Sequence, residues 1–121
     1  MVYMFLADGF EETEALAPLD ILRRGGVEVK TVGVTGGYVI GAHGITVKAD
    51  ILPPSASKEN TEAVILPGGG VGTQNLDASV FVKEAVQSAY DAGKLVCAIC
   101  AAPSVLGKMG LLRGKKATCY P

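Results

Sequence analysis

Apolar strand-like runs that alternate with amphipathic helical stretches predict an α/β protein, an open and mostly parallel doubly wound sheet of the flavodoxin-like kind. Three observations carry this. The runs Val2 to Ala7, Ala63 to Leu66 and Leu95 to Ile99 are short and continuous, as expected of parallel strands buried on both faces. Helical periodicity fills the intervals, with apolar residues at Ala15, Leu16, Leu19 and Leu22 and again over 78–92. Glycines, 16 in 121 residues, lie mostly at the ends of the apolar runs and suggest tight connections.

The elements follow in order. Val2 to Ala7 is the first core strand, and Asp8-Gly9-Phe10 turns the chain. A helix is predicted over 12–24, with acids at its start, Arg23-Arg24 at its end to complement the dipole, and Gly25-Gly26 as its stop. Pro18 inside it predicts a kink or a special first turn. Alternation over 28–34 predicts a second strand. Residues 38–40 and 45–48 predict a small hairpin around Gly41-Ala42-His43-Gly44. A polar connection, 52–61, leads to the third core strand at 63–66, which ends in Pro67-Gly68-Gly69-Gly70. A helix over 78–92, a fourth core strand over 95–99, a helix over 101–109 and a last strand over 115–119 complete the pattern. No internal repeat is present, and the length suits one domain over 1–121.

Composition narrows the functional classes. Apolar residues make up 49% and charged residues 19%, and the net charge is −1 with neither sign clustered. That leaves no footprint for nucleic acid or an acidic membrane. The first apolar run has no basic region before it and is too short to span a bilayer. Three cysteines fit a reduced, cytoplasmic setting and lack the paired spacing of a zinc knuckle. Cys97 and Cys100 are spaced as C-x-x-C, but Cys97 falls inside a strand rather than at a helix start, which argues against a thioredoxin-type pair.

The chemistry concentrates at Cys100. A strand run ends on it, a helical segment follows at once, and the small residues Ala98 and Ala102 flank it at minus two and plus two. A nucleophile elbow needs that pattern, because bulkier neighbours would collide across the sharp turn. A helix N-terminus would also favour a thiolate. The competing reading is a structural cysteine closing a core strand, since free cysteines are commonly buried.

Ligand sites in such sheets lie at the carboxyl ends of the strands. Residues 8–14, His43, residues 68–70 and Cys100 all fall there. The Gly69 and Ala101 N–H groups are the candidate oxyanion donors, although a glycine run can simply turn a strand. It is no phosphate cradle: no Lys-Ser/Thr follows, and Thr73 stands where a third spaced glycine would be. Of Glu11, Glu12 and Glu14, two are expected to be solvated partners of the helix dipole, while one could point inward to Cys100. The single histidine, His43, reads as a surface or interface residue.

Taken together, Gly9 to Ala15, Asp20 to Gly26, Ile65 to Gly69 and Ala98 to Pro103 resemble the ThiJ/PfpI superfamily. The resemblance is to the branch of the Parkinson's-disease-linked protein and its bacterial relatives, and it runs along essentially the whole chain. It implies a flavodoxin-like homodimer with Cys100 as the reactive, easily oxidised cysteine and Glu14 as the glutamate that hydrogen-bonds it. Gly69 and Ala101 match the family's backbone donors, and His43 falls near the family's dimer interface and pocket rim. The implied activity is handling of reactive carbonyls, either converting methylglyoxal to lactate or removing early glycation adducts from protein or nucleotide, with no metal or organic cofactor. The alternatives are an oxidative-stress sensor or chaperone acting through Cys100, and a cysteine peptidase or amidase-like hydrolase. Family members extend further, so the chain corresponds to their N-terminal two thirds. Where the family often has a histidine, just before Pro121, this chain has Tyr120, which removes that route to a Cys–His pair.

Overall fold

The computed structural model describes residues 1–121. Its elements are β1 (Val2–Leu6), α1 (Glu12–Arg24), β2 (Val29–Gly33), β3 (Tyr38–Ile40), β4 (Thr46–Lys48), β5 (Ala63–Leu66), α2 (Gly70–Asp77), α3 (Val80–Asp91), β6 (Leu95–Ala98) and α4 (Pro103–Lys108). Strands β1, β2, β5 and β6 form one parallel sheet in the spatial order β2-β1-β5-β6, and β3 and β4 form an antiparallel hairpin. The flavodoxin-like α/β class is as predicted.

Alternation along β1 divides the interior into two cores. Val2, Met4 and Leu6 face Phe10, Ala15 and Leu19 and the buried Val39 of the hairpin. Tyr3 and Phe5 face the opposite side, against Leu76, Val82, Val86, Val105 and Leu106. Phe5 and Phe81 meet edge to face at 5.7 Å. Helix α1 therefore covers one face of the sheet, and α2, α3 and α4 cover the other.

The chain passes from β1 outward to β2, then returns to the other side of β1 to place β5. Its direction of travel reverses between β1 and β5, and open α/β sheets bind ligands in the crevice at such a switch. The segments after β1 and β5, residues 7–11 and 67–69, meet there.

Several elements differ from expectation. The helix expected at 78–92 is α3, and a separate helix that was not expected, α2, precedes it and begins at Gly70 inside the glycine run. A Cβ on Gly72 would lie 2.7 Å from Phe10 N, so close packing selects glycine there despite its low helix propensity. Ser79 then caps α3, its side chain accepting from Val82 N at 3.2 Å. The chain runs helically through Pro18 from Glu12 to Arg24. The helix expected over 101–109 shortens to α4, because the elbow turn occupies 100–102.

The fourth core strand is a half-exposed edge strand, with Leu95 67% exposed, because β5 is its one neighbour in the sheet. Residues 115–119 form no strand; their side chains are exposed and no ladder pairs them. The nearest pairing is Tyr120 N donating to Cys100 O at 2.7 Å. No helix is long and apolar enough to cross a membrane.

Candidate active site

Register places the candidate nucleophile. Leu66 on β5 pairs with Ala98 on β6, so two residues further along each strand Gly68 stands opposite Cys100. Cys100 has φ 61, the one positive value outside glycine. A left-handed cysteine costs on the order of 1–3 kcal/mol and persists where its surroundings enforce it. Here Ile99 N donates to Leu66 O at 3.2 Å, Ala102 N donates to Ile99 O at 3.0 Å, and Tyr120 N holds the Cys100 carbonyl. The small flanking residues allow this turn, as the spacing predicted.

Glu14 reaches the same point from α1. A Cβ on Gly68 would collide with Glu14 Oε1 and approach Cys100 Cβ to 2.8 Å, so the carboxyl and the cysteine both pack on this glycine. Glu14 Oε1 is buried and accepts no hydrogen bond within the protein, which leaves a free acceptor beside the thiol. Burial pushes the Cys100 thiol up, and the neighbouring Glu14 carboxylate adds to this. The Ala101 N–H opposes them, and Glu11 adds a further unfavourable charge.

The lowering expected from a helix N-terminus is thus outweighed. The helix after Cys100 has six residues and opens on Pro103, which has no N–H to offer.

The two expected backbone donors stand differently. Neither the Gly69 nor the Ala101 N–H is bonded to a backbone carbonyl. Ala101 is adjacent to the thiol and acts on it. Gly69, at φ 95, is the N-cap of α2 and packs on the turn after β1, where a Cβ would lie 2.8 Å from Glu11 N. Gly68, rather than Gly69, is the glycine in contact with both Cys100 and Glu14.

The acids also depart from expectation, since none of the three is freely solvated. Glu11 is the N-cap of α1 and accepts from Glu14 N at 2.9 Å, while its own N–H donates to Gly68 O at 3.0 Å. Glu12 is buried. Its Oε2 accepts from His43 N at 2.7 Å and Ile45 N at 3.3 Å, and its Oε1 lies 2.8 Å from His43 Nδ1. Gly41 packs directly on that carboxyl. The hairpin turn is thereby fastened to the start of α1.

Glu11, Glu12 and His43 cluster with their polar atoms within 4.8 Å of one another, and both Glu12 oxygens and His43 Nδ1 have hydrogen-bond partners. His43 bonds Glu12, not Cys100, so the chain's one histidine makes no Cys–His pair.

The Glu12–His43 pair has a defined pH window. Burial alone would raise the Glu12 carboxyl, but its hydrogen bonds to His43 and to backbone N–H groups outweigh that and bring it to about 2, from 4.5. Its stabilising share is full above pH 4.5 and is lost as pH falls towards 2. The hydrogen bond and charge of Glu12 raise His43 above 6.5. Its share is full below 6.5 and is lost as pH rises through the raised value. The stability lost in His43→Gln is expected to be greatest between pH 4.5 and 6.5 and to shrink on both sides. Urea midpoints against pH would show it; a loss independent of pH would mean that the ring contributes by packing alone.

Fold and site define a class: a parallel α/β protein with a strained cysteine beside a half-buried glutamate at the switch-point crevice. The family is specific. The DJ-1/PfpI family matches residues 1–121, and the chain belongs to it. Protein dj-1beta of Drosophila melanogaster is 35% identical over 119 residues, which is 98% of this chain and 64% of that protein. A deglycase of Pyrococcus abyssi is 32% identical over 120 residues, covering 99% of this chain and 72% of the relative. The solved structure of oxidized Toxoplasma gondii DJ-1 superimposes with a TM-score of 0.94 at 37% identity, over 99% of this chain and 66% of that one. The chain thus spans slightly less than two thirds of the fly and Toxoplasma proteins.

Proposed function

We propose that the protein is a cysteine-dependent deglycase acting on reactive carbonyls, with Cys100 as nucleophile and Glu14 as proton carrier. The observation that carries this is the contact of Cys100 with Glu14, whose buried Oε1 is an unfilled acceptor. The deglycases of three archaea among the relatives support the substrate class. The cytoplasm, the homodimer and the lack of a metal or organic cofactor belong to the same proposal. Ile21, Tyr38 and Ile40, exposed on α1 and the hairpin, support a self-associating face.

With methylglyoxal, Cys100 Sγ attacks the aldehyde carbon and Glu14 takes the thiol proton. The Ala101 and Gly69 N–H groups stabilise the oxyanion, which is then protonated to a hemithioacetal. Moving the hydrogen on that carbon to the adjacent carbonyl carbon as a proton, through an enediol, gives a lactoyl thioester. Water hydrolyses it to lactate and frees the thiol. The aldehyde is oxidised and the ketone reduced within one molecule, so no external oxidant is needed. Glycation adducts that release their carbonyl to Sγ would follow the same path.

Lactate formation from methylglyoxal tests the reading. Glu14→Gln keeps the shape but cannot carry the proton, and is expected to lower the rate by about 10²-fold or more. An unchanged rate would remove Glu14 from the mechanism.

A second reading, a stress sensor or chaperone in which Cys100 becomes a sulfinate, is kept because the Toxoplasma relative was solved oxidized. A Cys100 adduct that forms without turnover would favour it. A cysteine peptidase or amidase is less well supported, since His43 is engaged by Glu12 and Tyr120 replaces the family histidine.

A further inference from the structure

The chain's one histidine does not touch the candidate nucleophile, yet it is built into the carboxylate cluster beside it. His43 Nδ1 is 2.8 Å from Glu12 Oε1 and 3.7 Å from Glu11 Oε1. Glu12 is buried and grips both the ring and the backbone N–H of His43, so the position of the ring is fixed. Glu11 is fixed too, as the N-cap of α1 and through its N–H on Gly68. Gly68 is the residue that contacts both Glu14 and Cys100. Glu11 thus meets both sides: its carboxylate lies beside His43, and its N–H bonds the glycine that packs on Cys100.

We propose that His43 is a positioning residue for Cys100: as an imidazolium it offsets the Glu11 and Glu12 carboxylates and so keeps the thiol ionisable, without contacting it or the substrate. This rests on Cys100 being the nucleophile. The sign follows from the charges. The groups that face Cys100 are Glu14, Glu11 and the Ala101 N–H, and both carboxylates disfavour the thiolate. The groups that face His43 are Glu12 and Glu11, and both favour the imidazolium. When His43 loses its proton, Glu11 is uncovered and the thiolate becomes harder to form.

This coupling has a signature that a structural role would not produce. As pH rises, Cys100 begins to ionise while His43 discharges, so the pH–rate curve of the thiol is broadened. A permanent cation at position 43 would restore a single steep ionisation. High salt would shrink the difference between the two.

The test is alkylation of Cys100 by iodoacetamide, a neutral probe, followed by peptide mass spectrometry that separates Cys97 and Cys119, between pH 5 and 9. At pH 7, His43→Gln is expected to react about three- to tenfold more slowly, the effect of about half to one pKa unit. His43→Lys is expected to restore the rate with a steeper curve. Glu11→Gln is expected to react faster than the parent, and the effect of His43→Gln should be smaller in its presence. This second variant keeps the proposal testable if His43→Gln folds poorly. A His43→Gln curve that superimposes on the parent overturns the proposal, as does His43→Lys failing to restore the rate. A Cys100 that stays inert in every variant overturns the proposed function, and this inference with it; a reactive Cys100 indifferent to His43 overturns this inference alone.

Discussion

Cys100→Ser is expected to abolish lactate formation from methylglyoxal, a fall on the order of 10⁴-fold or more, the scale of losing an activated nucleophile. Serine keeps the volume and accepts the same turn, so the fold should survive and the melting temperature should change little. The loss is chemical. The thiolate is a strong nucleophile near neutral pH, and a serine hydroxyl at this position has no histidine to activate it, because His43 is held by Glu12. Residual turnover above a tenth of the parent rate would show that the reaction runs elsewhere.

Gly68→Ala is expected to damage both the site and its stability. Gly68 is buried opposite Cys100, and its missing side chain is the space in which the two functional groups meet. A methyl there would collide with Glu14 Oε1, lie 2.8 Å from Cys100 Cβ and lie 3.0 Å from Ile99 O. The carbonyl and the strained turn cannot easily move, so overpacking should cost about 1–3 kcal/mol. Any relief must come from Glu14 swinging away from the thiol, which should lower turnover at least as far as Glu14→Gln does. Gly70→Ala is the control, since a Cβ there meets nothing within 4 Å and its backbone is not left-handed. Urea unfolding and lactate assays on the pair would separate the two effects. Equal behaviour of the two variants would mean that the close contact at Gly68 has no role.

Much of this was legible in the sequence because it is local. Continuous apolar runs mark parallel strands, small residues around Cys100 mark a sharp turn, and Gly25 sits where a helix stop belongs. What was not legible depends on neighbours distant in sequence. Glu12 looks like any acid in a first helical turn; its burial arises because the hairpin turn, 31 residues later, offers it two N–H groups and a ring. Helix α2 starts within a glycine run that propensity alone reads as loop, because those glycines allow the turn after β1 to approach.

Gly68 was hidden by one residue of strand length. The apolar run carries the expected fourth strand to Ile99, whereas it ends at Ala98 in step with Leu66, and that register sets 68 opposite 100. The pattern over 115–119 misled because a strand needs a partner along its length, and here the backbone bonds are local, from Lys115 N to Leu112 O, or lie just beyond, at Tyr120.

The most direct measurement is mass spectrometry of the intact protein and its peptides after methylglyoxal, and separately after dilute peroxide. The account predicts that Cys100 alone is modified by both, ahead of the half-buried Cys97 and the exposed Cys119, and that Cys100→Ser removes both modifications together with lactate formation. Modification of Cys119 with Cys100 left untouched would contradict it, and would reduce the strained turn at Cys100 to a feature of the fold.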